Sequence, residues 1–257
     1  MRAATSLALF AHAFLAHPAA ADVTVTPLFT AYRGFPDCAR QPLLVATPNE
    51  LIAIFEGRPG ISPTTLCSGT FYPDAPNFPI YSRVSRDGGA SWTPALNITN
   101  GNLDFLVAVH DARSHAVHLL VQSGDSGTIA LESLDGARSW SAPRALNISA
   151  PGYASLIPGV GHGIQLEGRL CGEPTCGGKA GRLVVPFVAT RDGPVSNDTA
   201  CGTCASALVY SDDGGRAWQL GAVSDQNGSR EASIAQLERC AGRQRRQRAR
   251  RRPPSNS

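Results

Sequence analysis

Two arginines and two carboxylates stand out in this chain. Arg33 lies in TAYRGFPDC, Arg58 closes AIFEGR, Asp74 lies in the Pro-rich stretch TFYPDAPNFPIYS, and Glu231 lies in REASIAQL. A guanidinium is a planar, permanently charged fork that pairs both oxygens of a carboxylate. A carboxyl group within reach of a leaving oxygen can give up a proton and later take one back. Residue types of this kind suit a site that grips an acidic ligand and transfers protons beside it.

Such side chains need a frame, and the frame is written in a repeat. SRDGGASW begins at Ser85, SLDGARSW at Ser133 and SDDGGRAW at Ser211. Each copy follows a strand-like run (IYSRV, GTIALE and SALVY) whose alternation suits half-buried antiparallel strands. Within a copy, Asp accepts hydrogen bonds from turn amides and Gly tolerates positive φ, so the motif predicts a hairpin turn. The Trp begins the return strand and can fold its ring under that turn. The three copies therefore read as hairpin staples that take no part in catalysis. The first two copies begin 48 residues apart, near the ~40–50 residues of a four-stranded blade, and the third follows after 78, a blade plus an insertion; the pattern predicts a β-propeller. The third blade carries an insertion with Cys171, Cys176, Cys201 and Cys204.

The repeat is similar to the Asp-box of sialidases, which also occurs in other propellers, so the boxes speak to fold more than to function. Sialidases carry an Arg-Ile-Pro motif, then a strand ending in Glu-x-Arg, then an Asp before the first box. YRGFPDC resembles the first with one residue inserted between Arg33 and Pro36, AIFEGR the second, and the Asp74 loop the third. IPGVGHGIQLEGRL resembles the Gly-rich loop after the second box, and REASIAQL the segment of the functional Glu, with Arg230 in place of its usual Asn. The resemblance covers about Pro27 to Leu237. It implies an all-β, six-bladed propeller with only the first three to four blades present. It implies an exo-α-sialidase, a retaining glycoside hydrolase without metal or cofactor, acting on terminal sialic acids of glycoproteins, oligosaccharides and gangliosides. In that reading Arg33 binds the substrate carboxylate, Arg58 lines the cleft beside Asp74, Asp74 is the acid/base, and Glu231 partners a tyrosine nucleophile. Sialidases use Tyr because a carboxylate nucleophile would be repelled by the carboxylate of the sugar.

The bulk of the chain points to export. MRAATSLALFAHAFLAHPAAA is expected to be a signal peptide over residues 1–21, with Asp22 opening the mature chain. Lysosomal or secreted localisation follows, with no transmembrane segment. The cysteines are expected as disulfides, Cys38 with Cys67 and the four of the insertion among themselves; a zinc knuckle is the competing reading of those four. Asn97, Asn147, Asn197 and Asn227 head glycosylation sequons. The net charge of +3 rests on eight arginines in the tail from Glu238, so the body is acidic and a nucleic-acid partner is not expected.

Two features depart from the family. All five tyrosines, at 32, 72, 81, 153 and 210, precede Glu231, and none matches the nucleophile segment. After Leu237 the pattern gives way to ERCAGRQRRQRARRRPPSNS, expected as a disordered, aberrant tail over residues 238–257 that follows a partial propeller over 22–237. The 257-residue chain is accordingly expected to be truncated within its fourth blade and inactive as it stands. The alternative from another class is a non-catalytic Asp-box propeller that binds glycans or protein.

Overall fold

A computed structural model describes residues 25–29, 38–58, 78–99, 101, 103–124, 127–167, 179–191, 203–229 and 231–236. Residues 1–21, Arg33, Asp74, Cys67, Asn197 and the tail beyond 236 lie outside the described residues. The described chain is all strand and turn, in three sheets. The first holds β1 (Cys38–Ala46), β2 (Leu51–Arg58), β3 (Ile80–Ser85) and β4 (Leu96–Thr99), antiparallel and in chain order. The second holds β5 (Leu103–Asp111), β6 (Ala116–Ser123), β7 (Gly127–Ser133) and β8 (Arg144–Leu146) in the same order. In the third, β9 (Ser155–Pro158) and β11 (Ile164–Gln165) share the inner side of β12 (Leu183–Thr190). β13 (Cys204–Ser211) and β14 (Gln219–Val223) follow outward. These are successive blades of a partial β-propeller, as the repeat predicts.

Side-chain alternation stacks the blades. On β5, Leu106 and Ala108 face the first sheet and pack with Leu43, Ile52 and Ile54; on β6, Leu119 and Val121 join them. The intervening Val107, Val109 and Leu120 point the other way, against Leu183, Val185, Phe187 and Val209 of the third sheet. A period of two thus buries both faces of the second sheet. Between the second and third sheets, β10 (Gly161–His162) leaves its neighbours and pairs in parallel with Val107 and Ala108 of β5. Gly163 makes that crossing: its amide bonds to the Ala108 carbonyl at 2.7 Å. A side chain there would meet Val185 at 2.6 Å and the Val184 carbonyl at 2.7 Å.

The boxes close the outer hairpin of each blade, as expected. The hydroxyls of Ser85, Ser133 and Ser211 donate to Asp87, Asp135 and Asp213 at 2.8, 2.9 and 2.8 Å. The same hydroxyls accept the amides of Gly89, Ala137 and Gly215 at 2.8, 2.9 and 2.9 Å. Each Asp also accepts the amide four residues on, from Ser91, Ser139 and Ala217. The Ser91 hydroxyl and amide, with Ser85, hold Asp87 down to about 2. The Trp92 and Trp218 indole N–H groups donate to the Gly89 and Gly215 carbonyls, both at 3.0 Å. The second copy differs: Ala137 stands at φ 62, and the Trp140 indole N–H is buried without a hydrogen-bond partner.

Cys204 is disulfide-bonded and opens β13. Its partner, and the expected Cys38–Cys67 pairing, fall outside what the described side chains show. No helix of the described residues is long and apolar enough to cross a membrane.

Trp218 is 5% exposed within the core between the second and third blades, whereas Trp92 is half-buried at the first. Trp218→Ala is therefore expected to cost roughly 3–5 kcal/mol, and Trp92→Ala distinctly less. Urea denaturation of both variants checks this. Equal losses would count against a core role for the Trp218 ring.

Candidate functional site

At the end of the first two blades where β1 and β5 begin and β2 ends, the structure buries charge. β2 is buried along nearly its whole length (LIAIFEGR), which leaves Glu56 fully buried and Arg58 only 8% exposed. The Arg58 Nε donates to Glu56 Oε1 at 2.5 Å, and Nη2 reaches Glu56 Oε2 and Asp104 Oδ1, each at 3.2 Å. The Phe78 ring lies under the guanidinium, 4.9 Å from its centre. A buried charge is costly unless it is paired and hydrogen-bonded, and this one is both.

Two backbone irregularities place Asp104. The register of β1 shifts between Arg40 and Leu43, with Gln41 at φ 51. The register of β5 shifts between Asp104 and Leu106, with Phe105 at φ 41. Bulges of this kind re-aim side chains. Gln41 spans the two inner strands, donating to Asp104 Oδ1 at 2.6 Å and accepting the Leu106 amide at 3.2 Å. The Phe105 amide adds a third bond to Asp104 Oδ1, at 2.8 Å. Arg40 is the register partner of Glu56, so a second guanidinium-bearing residue stands beside the pair.

Burial is the main influence on Glu56 and pushes its carboxyl up to about 7. The Arg58 hydrogen bonds pull against that rise, Asp104 adds to it, and the Arg58 and Arg40 charges oppose it. On Arg58, burial works downward, but Glu56 and Asp104 outweigh it and hold the guanidinium charged.

Of the four residues singled out by sequence, Arg58 lies in this cluster, while Arg33 and Asp74 lie outside the described residues. Glu231 is exposed at the start of the segment 231–236. That segment runs beside the third blade: the Ala232 carbonyl lies 3.7 Å from where a Gly161 side chain would begin, and Gln236 bonds to the Glu167 backbone. Glu56, Asp104, Gln41 and Arg40 were not picked out from sequence. Two had a signal there. Glu56 is the Glu of the quoted Glu-x-Arg, and Arg40-Gln41-Pro42 spells Arg-x-Pro without the insertion that Arg33 and Pro36 require. Asp104 had none, because only the β5 bulge turns it toward Arg58.

A cleft of about 980 Å³ opens between the second and third blades at the opposite, box-bearing end of the strands. Among the described residues, no group of three His, Cys, Asp or Glu side chains could hold a metal ion.

The chain matches the family of BNR repeat-like domains over residues 68–256. A sialidase of Micromonospora viridifaciens is 28% identical to it over 217 residues, covering 73% of this chain and 29% of that protein. The Hadza microbial sialidase Hz136 is similar in fold, with a TM-score of 0.57 at 17% identity, covering 77% of this chain and 39% of the other. Trypanosoma rangeli sialidase in complex with 2,3-difluorosialic acid, a covalent intermediate, gives 0.54 at 16% identity, covering 79% and 33%. The intramolecular trans-sialidase from Ruminococcus gnavus gives 0.55 at 14% identity, covering 77% and 63%. This chain therefore spans less than a third of the length of the curated sialidase it matches.

The raised Glu56 sets a pH dependence. The group favours its proton in the folded state, so its contribution is complete below the ordinary value of 4.5 and is lost as pH rises through about 7. His110 and His118, depressed by burial, act in the opposite direction. Comparison with Glu56→Gln cancels their contribution. The wild-type protein is expected to lose on the order of 3 kcal/mol more than Glu56→Gln between about pH 5 and 8, measured by denaturant melts at both pH values. Parallel pH profiles would refute the burial effect.

Proposed function

We infer, for a chain that belongs to the family of BNR repeat-like domains and is similar to sialidases, that the charged end of the first two blades is built to hold a terminal sialic acid. The observation that carries this reading is the convergence of the Arg-x-Pro and Glu-x-Arg segments on Asp104, with Arg40, Glu56 and Arg58 at one end of adjoining inner strands. Sialic acid carries a carboxylate on its anomeric carbon, and a guanidinium fork matches it. Arg40 takes the carboxylate-binding role first considered for Arg33, because its motif has the uninterrupted spacing. Arg58 and Asp104, locked by Glu56 and Gln41, form one wall of the site and offer a donor and an acceptor to the sugar's polar substituents. A site held rigid before the ligand arrives loses less entropy on binding.

The reaction of such a site is hydrolysis of terminal sialic acids from glycoproteins, oligosaccharides and gangliosides, with retention. Asp74 serves as acid and then base, and Glu231 draws the proton of a tyrosine nucleophile. The compartment we propose is the secretory pathway, lysosomal or extracellular. The alternative reading is a non-catalytic Asp-box propeller that binds glycans or protein, because the boxes fasten hairpins and speak to fold more than to function. On either reading the charged end of the blades is expected to bind a sialylated ligand.

The test is binding of 2-deoxy-2,3-dehydro-N-acetylneuraminic acid by calorimetry, beside hydrolysis of a fluorogenic sialoside. Arg40→Ala is expected to weaken binding roughly 10- to 100-fold, the worth of a charge-assisted pair, and Arg33→Ala to leave it unchanged. The reverse ranking would return the carboxylate role to Arg33. No binding by the wild-type chain would overturn the sialoside reading. Turnover of the fluorogenic sialoside by the 257-residue chain would show that it holds a nucleophile of its own.

A further inference from the structure

Three of the four sequons fall at one place in three different blades. The outermost strands are β4, β8 and β14, each ending its sheet with one unpaired edge. Asn97 lies on β4 opposite Tyr81, the second residue of β3. Asn147 directly follows Leu146, which pairs with Thr128, the second residue of β7. Asn227 precedes Gly228, whose amide bonds at 2.7 Å to the carbonyl of Cys204, the first residue of β13. All three asparagines are exposed. They mark the outer rim at the end of the blades where β3, β7 and β13 begin, the end that carries the charged cluster.

Local packing turns the asparagines outward. In the repeated Ala-Leu-Asn-Ile-Thr/Ser of residues 95–99 and 145–149, Ile98 packs against the first core and Ile148 against the second. Alternation then directs Asn97 and Asn147 away from those cores. The third sequon, Asn227-Gly228-Ser229, sits in an unrelated local sequence, a turn with Gly228 at φ 83, so blade repetition alone does not account for it.

The edges beside them lack the usual protection. Exposed edge strands are commonly guarded by Lys or Pro on the strand, because their free N–H and C=O groups template pairing with another chain. β4 (LNIT) and β14 (QLGAV) contain neither charge nor proline, and Leu96 on β4 is 38% exposed. On β8 the one charge, Arg144, is tied to the Gly215 carbonyl at 3.0 Å.

We propose that Asn97, Asn147 and Asn227 carry N-linked oligosaccharides that form a collar on the outer rim and block edge-to-edge pairing of the blades. The inference rests on export, which the sequence of residues 1–21 leads us to expect. The donor is a lipid-diphosphate-linked oligosaccharide. The asparagine amide nitrogen bonds to the anomeric carbon of the sugar, the bond from that carbon to the diphosphate oxygen breaks, and the lipid diphosphate leaves with the electron pair. The amide proton passes to a base of the transferase. Attachment takes place on the nascent chain, so the later engagement of the Ser229 hydroxyl with the Ser206 amide does not oppose it.

The experiment is secretion of the full chain, with its own N-terminus, from a eukaryotic host. Peptide N-glycosidase digestion in heavy-oxygen water then labels each occupied asparagine as aspartate for mass spectrometry. The expected result is label at 97, 147 and 227, with one electrophoretic step lost in each of Asn97→Gln, Asn147→Gln and Asn227→Gln. A chain retained without glycan, or secreted with any of the three unlabelled, overturns the collar. Its purpose is read separately by trimming the glycans from folded wild-type protein with an endoglycosidase, which avoids any folding defect of the variants. Trimmed protein is expected to self-associate with rising concentration in sedimentation velocity while untrimmed protein does not. Trimmed protein that stays as dispersed as the untrimmed form overturns the shielding role. Neither readout uses sialoside binding, so failure of the collar and failure of the proposed function are distinguishable.

Discussion

Everything in this structure hangs on the second sheet being buried on both faces. β5 and β6 alternate so that one set of aliphatic side chains completes the core against the first blade and the other completes the core against the third. A blade by itself would leave its apolar faces to water, and stacking covers them in two cores, one on either side of the second sheet. The parallel pairing of β10 with β5, and the close approach at Gly163, tie the inner strands where the layers are most crowded.

Upon this stack sits a polar exception. Glu56, Arg58 and Asp104 occupy the seam between the first two blades, where an aliphatic trio would satisfy the core at less cost. Two bulged strands are recruited to satisfy them, with Gln41 and Phe105 both at positive φ. Breaks in local rules concentrate where function needs a fixed geometry. Here they hold a guanidinium and a carboxylate at the end of the inner strands before any ligand arrives. Burial among these partners pushes the Glu56 carboxyl up to about 7, against the pull of the Arg58 hydrogen bonds.

The boxes and the rim belong to a different economy, that of the outer strands. Each box is a ring of hydrogen bonds among Ser, Asp and turn amides, and it fastens the last hairpin of its blade from within. The second copy shows how tolerant the device is. Ala137 replaces a glycine and Trp140 leaves its N–H unpaired, yet the Ser133–Asp135 bonds persist and the blade forms.

The boxes, the hairpins they close and the blade spacing could be read directly from the residues, and Arg58 from the resemblance of AIFEGR to Glu-x-Arg. Each depends on partners a few positions apart, or on a period of two that a strand imposes wherever it is placed. Arg40 carries a signal of the same kind, the unbroken Arg-x-Pro of residues 40–42. Asp104 and Gln41 were not legible. They meet across a separation of 63 residues, and what joins them is a pair of bulges whose positive φ values no composition rule requires at Gln or Phe. The pairing exists because two inner strands are pressed together by the cores on either side, and that pressure belongs to the packed blades. The same holds for Glu56: its type and place are in the sequence, but its carboxyl is pushed up by the burial that the packed blades impose.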